Sequence, residues 1–510
     1  MKKTLFVPTA VRGAFATTVA TASFAAAAVA SAATVSAAVA TSSAAPASAA
    51  QAKPNIILIT VDDLGLQLSC YGDPYIKTPN LDALAGSGVR FVTTYTPQAC
   101  CSPARAGLLT GLYPHANGQI GLAQPPMNFS MRADNTPPTL PTLLKQAGYR
   151  TAIMGKLHVF PVSAFSFDEN LLPPKQMRDV RKAATLAADF IKRSDGDPFF
   201  LYINYADPHK ALGEKPPGFP AQVKGIPANP FKPGDIPAWP FQRVENNELL
   251  KHIANYYNCA LRIDAGIGML MDALKASGKY DNTIIVFIAD HGPPFARAKT
   301  SCYEAGLHIP LLIRWPGVSK AGLASAAMAC SIDIMPTLLE AAGVPAPKMQ
   351  GRSLKAALQG DDAGKRVYMA AEFNTHTGSF FFPRRAIRDD RYKLIYNMLA
   401  GRAKASAEID GDTASVVAAS AKYNGTPAQK AMSRLADPPM WELYDLSADP
   451  FEFNNLADDP VYQPVLARLK KALAAWQDET EDPYRDPKKI DATMAEITKK
   501  WKAVSRPAKG

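Results

Sequence analysis

Much of the chain alternates between apolar runs of strand length and longer segments with a helical period. The runs NIILITV, FFLYINY and TIIVFIA are almost continuously apolar, which is typical of strands buried inside a parallel sheet. Segments such as TLPTLLKQAGY and RDVRKAATLAADFIKR lie between them and have apolar positions at the spacing of an amphipathic helix. This alternation predicts an α/β fold in which helices sandwich a large, mostly parallel sheet.

A different pattern begins near residue 366. RRAIRDDRYKLIYN and WELYDLSADP predict short antiparallel strands, and VLARLKKALAAWQDE predicts a helix after them. We therefore expect a catalytic domain at residues 52–365 and a smaller α+β domain at residues 366–510. Residues 210–243 are rich in Pro and Gly and predict a long surface loop of the kind that often borders an active site.

The first 51 residues differ in composition from the rest. A short basic start is followed by a long stretch of Ala, Val, Thr and Ser that ends in small residues such as APASAA. Residues 1–51 therefore predict an export signal with a low-complexity spacer, and we expect the protein in the periplasm or outside the cell. Because alanine is only weakly apolar, this pattern favours an export signal over a stable membrane span.

Composition and charge narrow the classes of function. The 510 residues carry a formal net charge of +11, but the basic residues are scattered, so a nucleic-acid groove is not expected. The positive charge suits an anionic substrate, and a solvated surface explains it equally well. Six cysteines in so long a chain do not predict a disulfide framework.

Acid-bearing pairs follow two of the predicted buried strands. Asp62 and Asp63 end the first strand, and Asp290 and His291 end TIIVFIA. In open α/β sheets, ligands bind beyond the carboxyl ends of the strands. A single Asp-Asp is more often a turn or a helix cap, but two such strand ends can converge on one hard cation through oxygen ligands. The two pairs together therefore favour a metal site.

The stretch QACCSPARAGLLTG places two adjacent cysteines at a predicted helix start. Ser102 is a good helix cap, and Pro103 fits a first helical turn. Cys101 is therefore expected beside backbone N–H groups that favour negative charge, where a thiol would be activated or an anionic substrate held. Arg105 follows within one turn, close enough to pair with an oxyanion or with a modified side chain.

This stretch resembles the signature of the sulfatase family, with alanine at position 104 in place of the commoner serine. In that family the signature cysteine is converted by a maturation enzyme to formylglycine, an aldehyde that hydrates to a geminal diol. The resemblance assigns this modification to Cys101. It leaves Cys100 as a packed thiol or as a partner for another cysteine.

The resemblance extends over nearly the whole mature chain. NIILITVDDLG, TPNLDALAGSGVRF, MGKLH, ADPH, ADHG and ELYDLSADPFEFNNLA occur in the family's order. It implies an alkaline-phosphatase-like sandwich and a divalent cation held by Asp62, Asp63, Asp290, His291 and the modified Cys101. Calcium is expected; histidine at position 291, where asparagine is common, makes manganese the alternative.

Further residues match the family's sulfate-handling positions: Lys156, His158, His209 and Lys299. Each in isolation is more often a solvated surface residue, but together at one sheet edge they would form a cationic pocket for a tetrahedral anion. The resemblance implies that His209 protonates the leaving group with help from Lys299, and that His158 takes a proton from the diol. His115 is expected to support the pocket wall.

The segment NTHTGSFFFPRRAIRDDRYKLIYN most resembles the heparan N-sulfatase branch, which acts on N-sulfoglucosamine. His376, Arg384 and Arg385 could then bind sugar hydroxyls or a carboxylate, although a hairpin with solvated arginines fits equally well. Two rival functions share the pattern: a phosphonate or phosphate monoester hydrolase of the same fold, and a non-catalytic binder of sulfated glycans.

Overall fold

The computed structural model describes residues 53–125, 127–194, 196–211, 218–361, 364–378, 380–405 and 420–504, so the predicted signal and spacer at residues 1–51 lie outside the described part. The strands, in chain order, are β1 (Asn55–Val61), β2 (Val89–Phe91), β3 (Thr94–Tyr95), β4 (Arg150–Gly155), β5 (Glu169–Leu172), β6 (Phe199–Tyr205), β7 (Thr283–Ala289), β8 (Leu311–Arg314), β9 (Leu323–Ser325), β10 (Ala329–Cys330), β11 (Met369–Thr375), β12 (Phe381–Arg388), β13 (Tyr392–Asn397) and β14 (Trp441–Asp445).

The α-helices, in chain order, are α1 (Pro79–Ser87), α2 (Cys101–Thr110), α3 (Pro114–Asn117), α4 (Leu140–Gln146), α5 (Val180–Arg193), α6 (Asn247–Ala276), α7 (Glu304–Leu307), α8 (Ile334–Ala341), α9 (Lys355–Leu358), α10 (Pro427–Ala436), α11 (Gln463–Glu479) and α12 (Pro487–Val504). Among the residues described, no helix combines the length and the apolar character needed to cross a membrane.

The described residues contain an eight-stranded sheet with the strand order β5-β4-β6-β1-β7-β8-β2-β9. β5, β4, β6, β1 and β7 are parallel to one another, whereas β8 runs antiparallel to its neighbours β7 and β2. Every residue of β1, β6 and β7 is buried, so both faces of the sheet are covered at its centre. The predicted α/β fold with a large, mostly parallel sheet is confirmed, and the apolar runs form its central strands.

β11, β12, β13 and β14 form a separate antiparallel sheet in sequential order. α11 packs against this sheet, because Leu469 and Leu473 share a buried apolar cluster with Leu394 and Leu443. A small antiparallel sheet and a helix therefore follow the large sheet, as the sequence predicts. The described residues nevertheless form one compact unit, and the domain boundary at residue 365 stays a prediction.

A buried ion-pair network joins β12 to the chain that follows α11. Arg385 is fully buried and donates from Nε and Nη2 to the carboxylate of Asp482, at 2.7 and 2.8 Å. Its Nη1 donates to Asn374 Oδ1 at 3.1 Å, and its Nη2 lies 3.4 Å from Glu372 Oε2. These contacts occupy the guanidinium, so the expectation that Arg385 binds a sugar is not met: this side chain belongs to the protein interior.

Arg384 is also turned inward. It is 6% exposed, and its Nη1 and Nη2 donate to the carbonyl oxygens of Thr300 and Leu435 at 3.4 and 3.3 Å. Because both arginines are buried, the structure contradicts the alternative of a solvated hairpin, whereas a contact of Arg384 with a sugar stays a prediction. Both arginines are held by polar partners inside the protein, which the sequence did not predict.

Asp482→Asn is expected to lower the stability of the protein by about 3 kcal/mol, because the substitution leaves the buried guanidinium of Arg385 without its main counter-charge. The measurement is the thermal unfolding midpoint of the full chain. Glu479→Gln is the matched control: Glu479 is exposed, lies 3.8 Å from exposed Arg352, and should contribute less than about 1 kcal/mol. Equal midpoints for the two variants would contradict the prediction.

Candidate active site

The carboxyl ends of four neighbouring strands carry most of the predicted site residues. β4 is followed by Lys156 and His158, β6 by His209, β1 by Asp62 and Asp63, and β7 by Asp290 and His291. Because these four strands are adjacent and parallel, their carboxyl ends meet at one edge of the sheet. The strand order therefore brings together residues from distant parts of the sequence.

α2 places Cys101 at this edge. The helix begins at Cys101, which is 2% exposed. Its Sγ lies 3.3 Å from Nε2 of His291 and 3.9 Å from Oδ1 of Asp63. The side chain of residue 101 therefore lies at a helix N-terminus, where the backbone favours negative charge. It also lies beside His291 and Asp63, two of the residues predicted to bind the metal.

Ser102 does not cap α2 as predicted. The cap position is occupied by Cys100, whose backbone is extended and whose side chain makes no capping hydrogen bond. Oγ of Ser102 lies inside the first turn and accepts a hydrogen bond from the backbone N–H of Ala123 at 2.9 Å. Cys100 is a buried free thiol that packs with Cys101 and Leu122, so it is the packed thiol of the two possibilities.

Arg105 lies beneath the site and connects two of its carboxylates. Nη2 lies 3.1 Å from Asp62 Oδ1, and Nε lies 3.1 Å from Asp290 Oδ2. Nη1 donates to the Lys156 carbonyl oxygen at 2.9 Å and to Asn204 Oδ1 at 2.7 Å. The sequence predicts that Arg105 contacts an oxyanion or a modified side chain. In the structure its guanidinium instead forms ion pairs with Asp62 and Asp290, two of the predicted metal ligands.

Two polar residues that the sequence did not predict as part of the site support Arg105 from within the sheet. Thr60 of β1 and Asn204 of β6 are register partners, are buried, and hydrogen-bond to each other. Asn204 Nδ2 also donates to the carbonyl oxygen of Met154 at 3.1 Å. The signal that could have identified them is a polar residue near the end of an otherwise apolar strand.

Asp63 has a strained backbone and several charged partners. Its φ of 68° lies in the left-handed region that non-glycine residues rarely adopt. Tyr256 of α6 holds this turn, because its hydroxyl donates to the Asp63 carbonyl oxygen at 3.1 Å and accepts from the N–H of Gly65 at 2.9 Å. The Asp63 carboxylate lies 3.1 Å from Nζ of Lys299 and 3.1 Å from Nε2 of His291.

The donor atoms fit a divalent cation. Oxygens of Asp62, Asp63 and Asp290 lie within 4.8 Å of one another, and Cys101, Asp290 and His291 form a second such group. His291 Nδ1 lies 2.8 Å from the carbonyl oxygen of Gly292, so Nδ1 carries the proton and Nε2 can act as a ligand. Carboxylate oxygens suit calcium or manganese, and an imidazole nitrogen suits manganese better.

Burial and neighbouring charges shift the pKa values of the ligand set. Burial opposes ionisation of Asp62, but the cations of Lys156 and Arg105 hold its pKa well below the usual range. Burial raises the pKa of Asp290 to about 6. Burial alone would lower the pKa of His291, but the carboxylates of Asp290 and Asp63 raise it to about 9. The buried carboxylates of Asp63 and Asp290 therefore favour a positive charge close to them, either on His291 or on a bound cation.

Lys156 and His158 reach the site from the end of β4. Lys156 Nζ lies 2.8 Å from Asp62 Oδ2. Gly155 makes this turn possible: its φ is 88°, and a Cβ there would meet the Asn204 carbonyl oxygen at 2.2 Å. Burial, helped by the charge on Lys156, lowers the pKa of His158 to about 2, so its imidazole is neutral at physiological pH.

His209 and Lys299 complete the group on the side of Asp63. Nε2 of His209 lies 4.0 Å from Asp63 Oδ2, and its Nδ1 lies 2.8 Å from the carbonyl oxygen of Lys210. Burial lowers the pKa of His209. Lys299 is 1% exposed. The structure thus brings all four predicted sulfate-handling residues to the sheet edge that holds Cys101.

His115 and His376 have different neighbours: His115 contacts Glu372 and Thr480, whereas the backbone of His376 contacts Leu122, which packs on Cys101. His115 is buried against Glu372, with Nδ1 2.7 Å from Oε2, and its Nε2 lies 3.1 Å from the carbonyl oxygen of Thr480. Its contacts are therefore with the C-terminal region rather than with the pocket wall predicted from the sequence. His376 is half-buried, and its carbonyl oxygen accepts from Leu122, which packs on Cys101.

Comparisons with known proteins agree with this geometry. The family described as Sulfatase matches residues 54–344, and the one described as N-sulphoglucosamine sulphohydrolase, C-terminal, matches residues 296–409. The chain is 32% identical to N-sulphoglucosamine sulphohydrolase of Homo sapiens, covering 85% of this chain and 92% of the relative. It is also 32% identical to an ulvan-active sulfatase of Formosa agariphila, covering 83% of this chain and 80% of that relative.

A solved structure supports the fold assignment. It is described as a complex with its substrate D-glucosamine-2-N,6-O-disulfate, and it matches with a TM-score of 0.61 at 23% identity over 84% of this chain and 98% of its own. At this identity the match concerns the fold, whereas the family assignment rests on the sequence matches above. The chain therefore belongs to the sulfatase family and is a hydrolase that acts on sulfate esters or sulfamates.

Proposed function

We propose that this enzyme releases sulfate from a sulfated sugar by means of a formylglycine formed from Cys101 by a maturation enzyme, beside a bound calcium ion. The position of Cys101 carries the proposal. A side-chain oxygen at this helix N-terminus, next to His291 and Asp63, would face both the ligand set and the cationic pocket. The composition of residues 1–51 supports export to the periplasm or the medium as part of this function.

The cation would be held by Asp62, Asp63, Asp290, His291 and residue 101. When bound, it would polarise oxygen atoms as a Lewis acid. Calcium is favoured because carboxylates dominate the set, and manganese is the alternative because of the imidazole. The hydrate of formylglycine would supply the hydroxyl that attacks sulfur, and it can release sulfate by returning to the aldehyde.

Two lysines would neutralise the sulfate oxygens. Nζ of Lys156 is held on Asp62 and Nζ of Lys299 on Asp63, so the two ammonium groups are fixed around the ligand carboxylates. Fixed cations directed at the place where negative charge develops stabilise a transition state without further reorganisation. The pocket that results suits a tetrahedral anion such as a sulfate ester or a sulfamate.

The two histidines would move protons in opposite directions. Nδ1 of His209 donates to a backbone carbonyl, so Nε2 is the atom that would exchange a proton with the departing oxygen or nitrogen, and it would act as an acid in the imidazolium form, which burial of the ring disfavours. His158 is neutral, and its Nδ1 is buried without a hydrogen-bond partner among the described residues, so it can accept the proton of the second hydroxyl. The assignment of His209 as the acid and His158 as the base follows the family resemblance, and the positions of both residues at this sheet edge are compatible with it.

N-sulfoglucosamine is the substrate we favour. The human relative and the C-terminal family match support it, and the substrate named for the solved structure is a glucosamine that carries an N-sulfate. Of the residues predicted to bind the sugar, His376 remains a candidate because its backbone contacts Leu122 beside Cys101. The equally identical ulvan-active sulfatase makes a direct comparison of substrates necessary.

The peptide that contains Cys101, prepared from protein made in its native host, is expected to be lighter than the unmodified peptide and to react with a hydrazide. Cys101→Ala should lower turnover by about 10³-fold or more, as removal of a nucleophile does. Cys100→Ala is the matched control and should retain both the aldehyde and most of the activity. An unmodified thiol at residue 101 in fully active protein would refute the proposal.

Removal of the metal by a chelator is expected to abolish turnover and to lower the thermal unfolding midpoint. The reason is that a bound ion stabilises the folded state by about 2.7 kcal/mol at a free concentration 100 times its Kd. Calcium should restore both properties, and manganese is the parallel test of identity. Asp290→Asn should remove the effect of added metal on the midpoint. A midpoint that responds equally in wild type and variant would place the metal elsewhere.

N-sulfoglucosamine is expected to be hydrolysed faster than glucosamine 6-O-sulfate or 4-nitrophenyl sulfate, because the enzyme would recognise the sugar as well as the sulfate. Sulfate release measured at equal substrate concentrations tests this expectation. 4-Nitrophenyl phosphate and a phenylphosphonate ester serve as probes of the rival function. Faster turnover of either phosphorus ester would favour a phosphonate or phosphate monoester hydrolase, and equal rates on sugar and aryl sulfates would contradict the N-sulfate preference.

A further inference from the structure

A buried ion-pair triad lies directly behind His209. Asp207, two residues earlier, is 2% exposed, and its carboxylate accepts a hydrogen bond from Arg262 and forms an ion pair with Arg178. Nε of Arg262 lies 2.6 Å from Oδ2, and Nε of Arg178 lies 3.0 Å from Oδ1. Two guanidinium groups on one buried carboxylate leave a net positive charge, which is more than neutralisation of Asp207 requires.

Arg178 also contacts the backbone of His209 itself. Its Nη2 donates to the carbonyl oxygen of His209 at 2.5 Å. The N–H of His209 donates to the carbonyl oxygen of Ala206 at 3.1 Å, and Nδ1 of its ring donates to the carbonyl oxygen of Lys210 at 2.8 Å. The peptide groups on both sides of His209 and one ring nitrogen are therefore fixed, and this arrangement directs Nε2 toward Asp63.

Arg262 anchors the other end of the triad. It lies in the interior of α6 and is fully buried. Nη1 donates to the carbonyl oxygen of Ile226 and Nη2 to that of Pro220, each at 3.2 Å. Arg262 thus connects Asp207 to α6 and to the described part of the proline-rich loop. The carboxylate of Asp207 is therefore held in place, and it in turn fixes the position of Arg178.

We propose that Arg178 is a positioning residue for acid catalysis: through Asp207 and the His209 carbonyl, it holds Nε2 of His209 at the leaving-group atom. The inference rests on the proposed role of His209 as the acid. A proton donor must lie within hydrogen-bond reach of the departing atom, and a displacement of about 1 Å can cost a factor of about 100 in rate. Lysine cannot replace Arg178 fully, because an ammonium lacks the planar fork that contacts both partners at once.

The test uses matched aryl sulfates and N-aryl sulfamates, from 4-nitrophenyl to unsubstituted phenyl, with the full chain. Acid catalysis matters more as the leaving group becomes more basic, so Arg178→Met should lower kcat/KM for the phenyl compounds by about 100-fold and for the 4-nitrophenyl compounds by less than about 5-fold. Arg178→Lys should give an intermediate dependence on the leaving group. Thermal unfolding of each variant verifies that it is folded.

Arg181→Met is the matched control. Arg181 lies in the first turn of α5, three residues after Arg178, is exposed, and donates to the carbonyl oxygen of Lys224 at 2.6 Å, so its loss should not change the dependence on the leaving group. His209→Ala separates the two hypotheses. If it steepens the dependence and Arg178→Met does not, the positioning role is wrong while the acid role stands. If neither variant steepens it, both roles are wrong.

Discussion

The ion pairs of Arg105 with Asp62 and Asp290 are the interaction on which the rest of the site depends. These carboxylates and Asp63 are buried at the end of the sheet, with oxygens that lie within 4.8 Å of one another. Ionised groups so close together in a poorly solvated place need fixed positive charge. Arg105 provides it from inside the protein, which leaves the outer side of the carboxylates able to face a cation and a substrate.

This constraint also fixes where the cysteine must lie. Cys101 and Arg105 are four residues apart in α2, so they lie on the same face of the helix, one turn from each other. Because the guanidinium of Arg105 is bound between Asp62 and Asp290, residue 101, one turn earlier on the same helix face, lies beside His291 and Asp63. The same logic explains Thr60 and Asn204, because a buried guanidinium needs acceptors for its remaining N–H groups, and these strands supply them.

The sequence predicted the parts of the fold and of the site that local pattern encodes. Apolar runs identified the central strands, and polar residues at their ends identified Asp62 and Asp290. Local pattern says nothing about partners that are distant in the sequence. Arg385 lies on β12 next to a second arginine, Arg384, and its burial depends on Asp482, 97 positions later. Its interior role therefore became visible only with the tertiary structure.

Backbone strain at the site arises because side chains from several strand ends must be directed at one place. Asp63 and His158 have φ values of 68° and 56°, conformations that cost about 1–3 kcal/mol each and persist only where surrounding structure imposes them. For Asp63 that structure is the hydroxyl of Tyr256, which bridges its carbonyl oxygen and the N–H of Gly65. A strand that ended with ordinary geometry would direct this carboxylate differently. The long helix α6 thus contributes to the site twice, by holding the Asp63 turn through Tyr256 and the His209 loop through Arg262, although neither residue needs to touch the substrate.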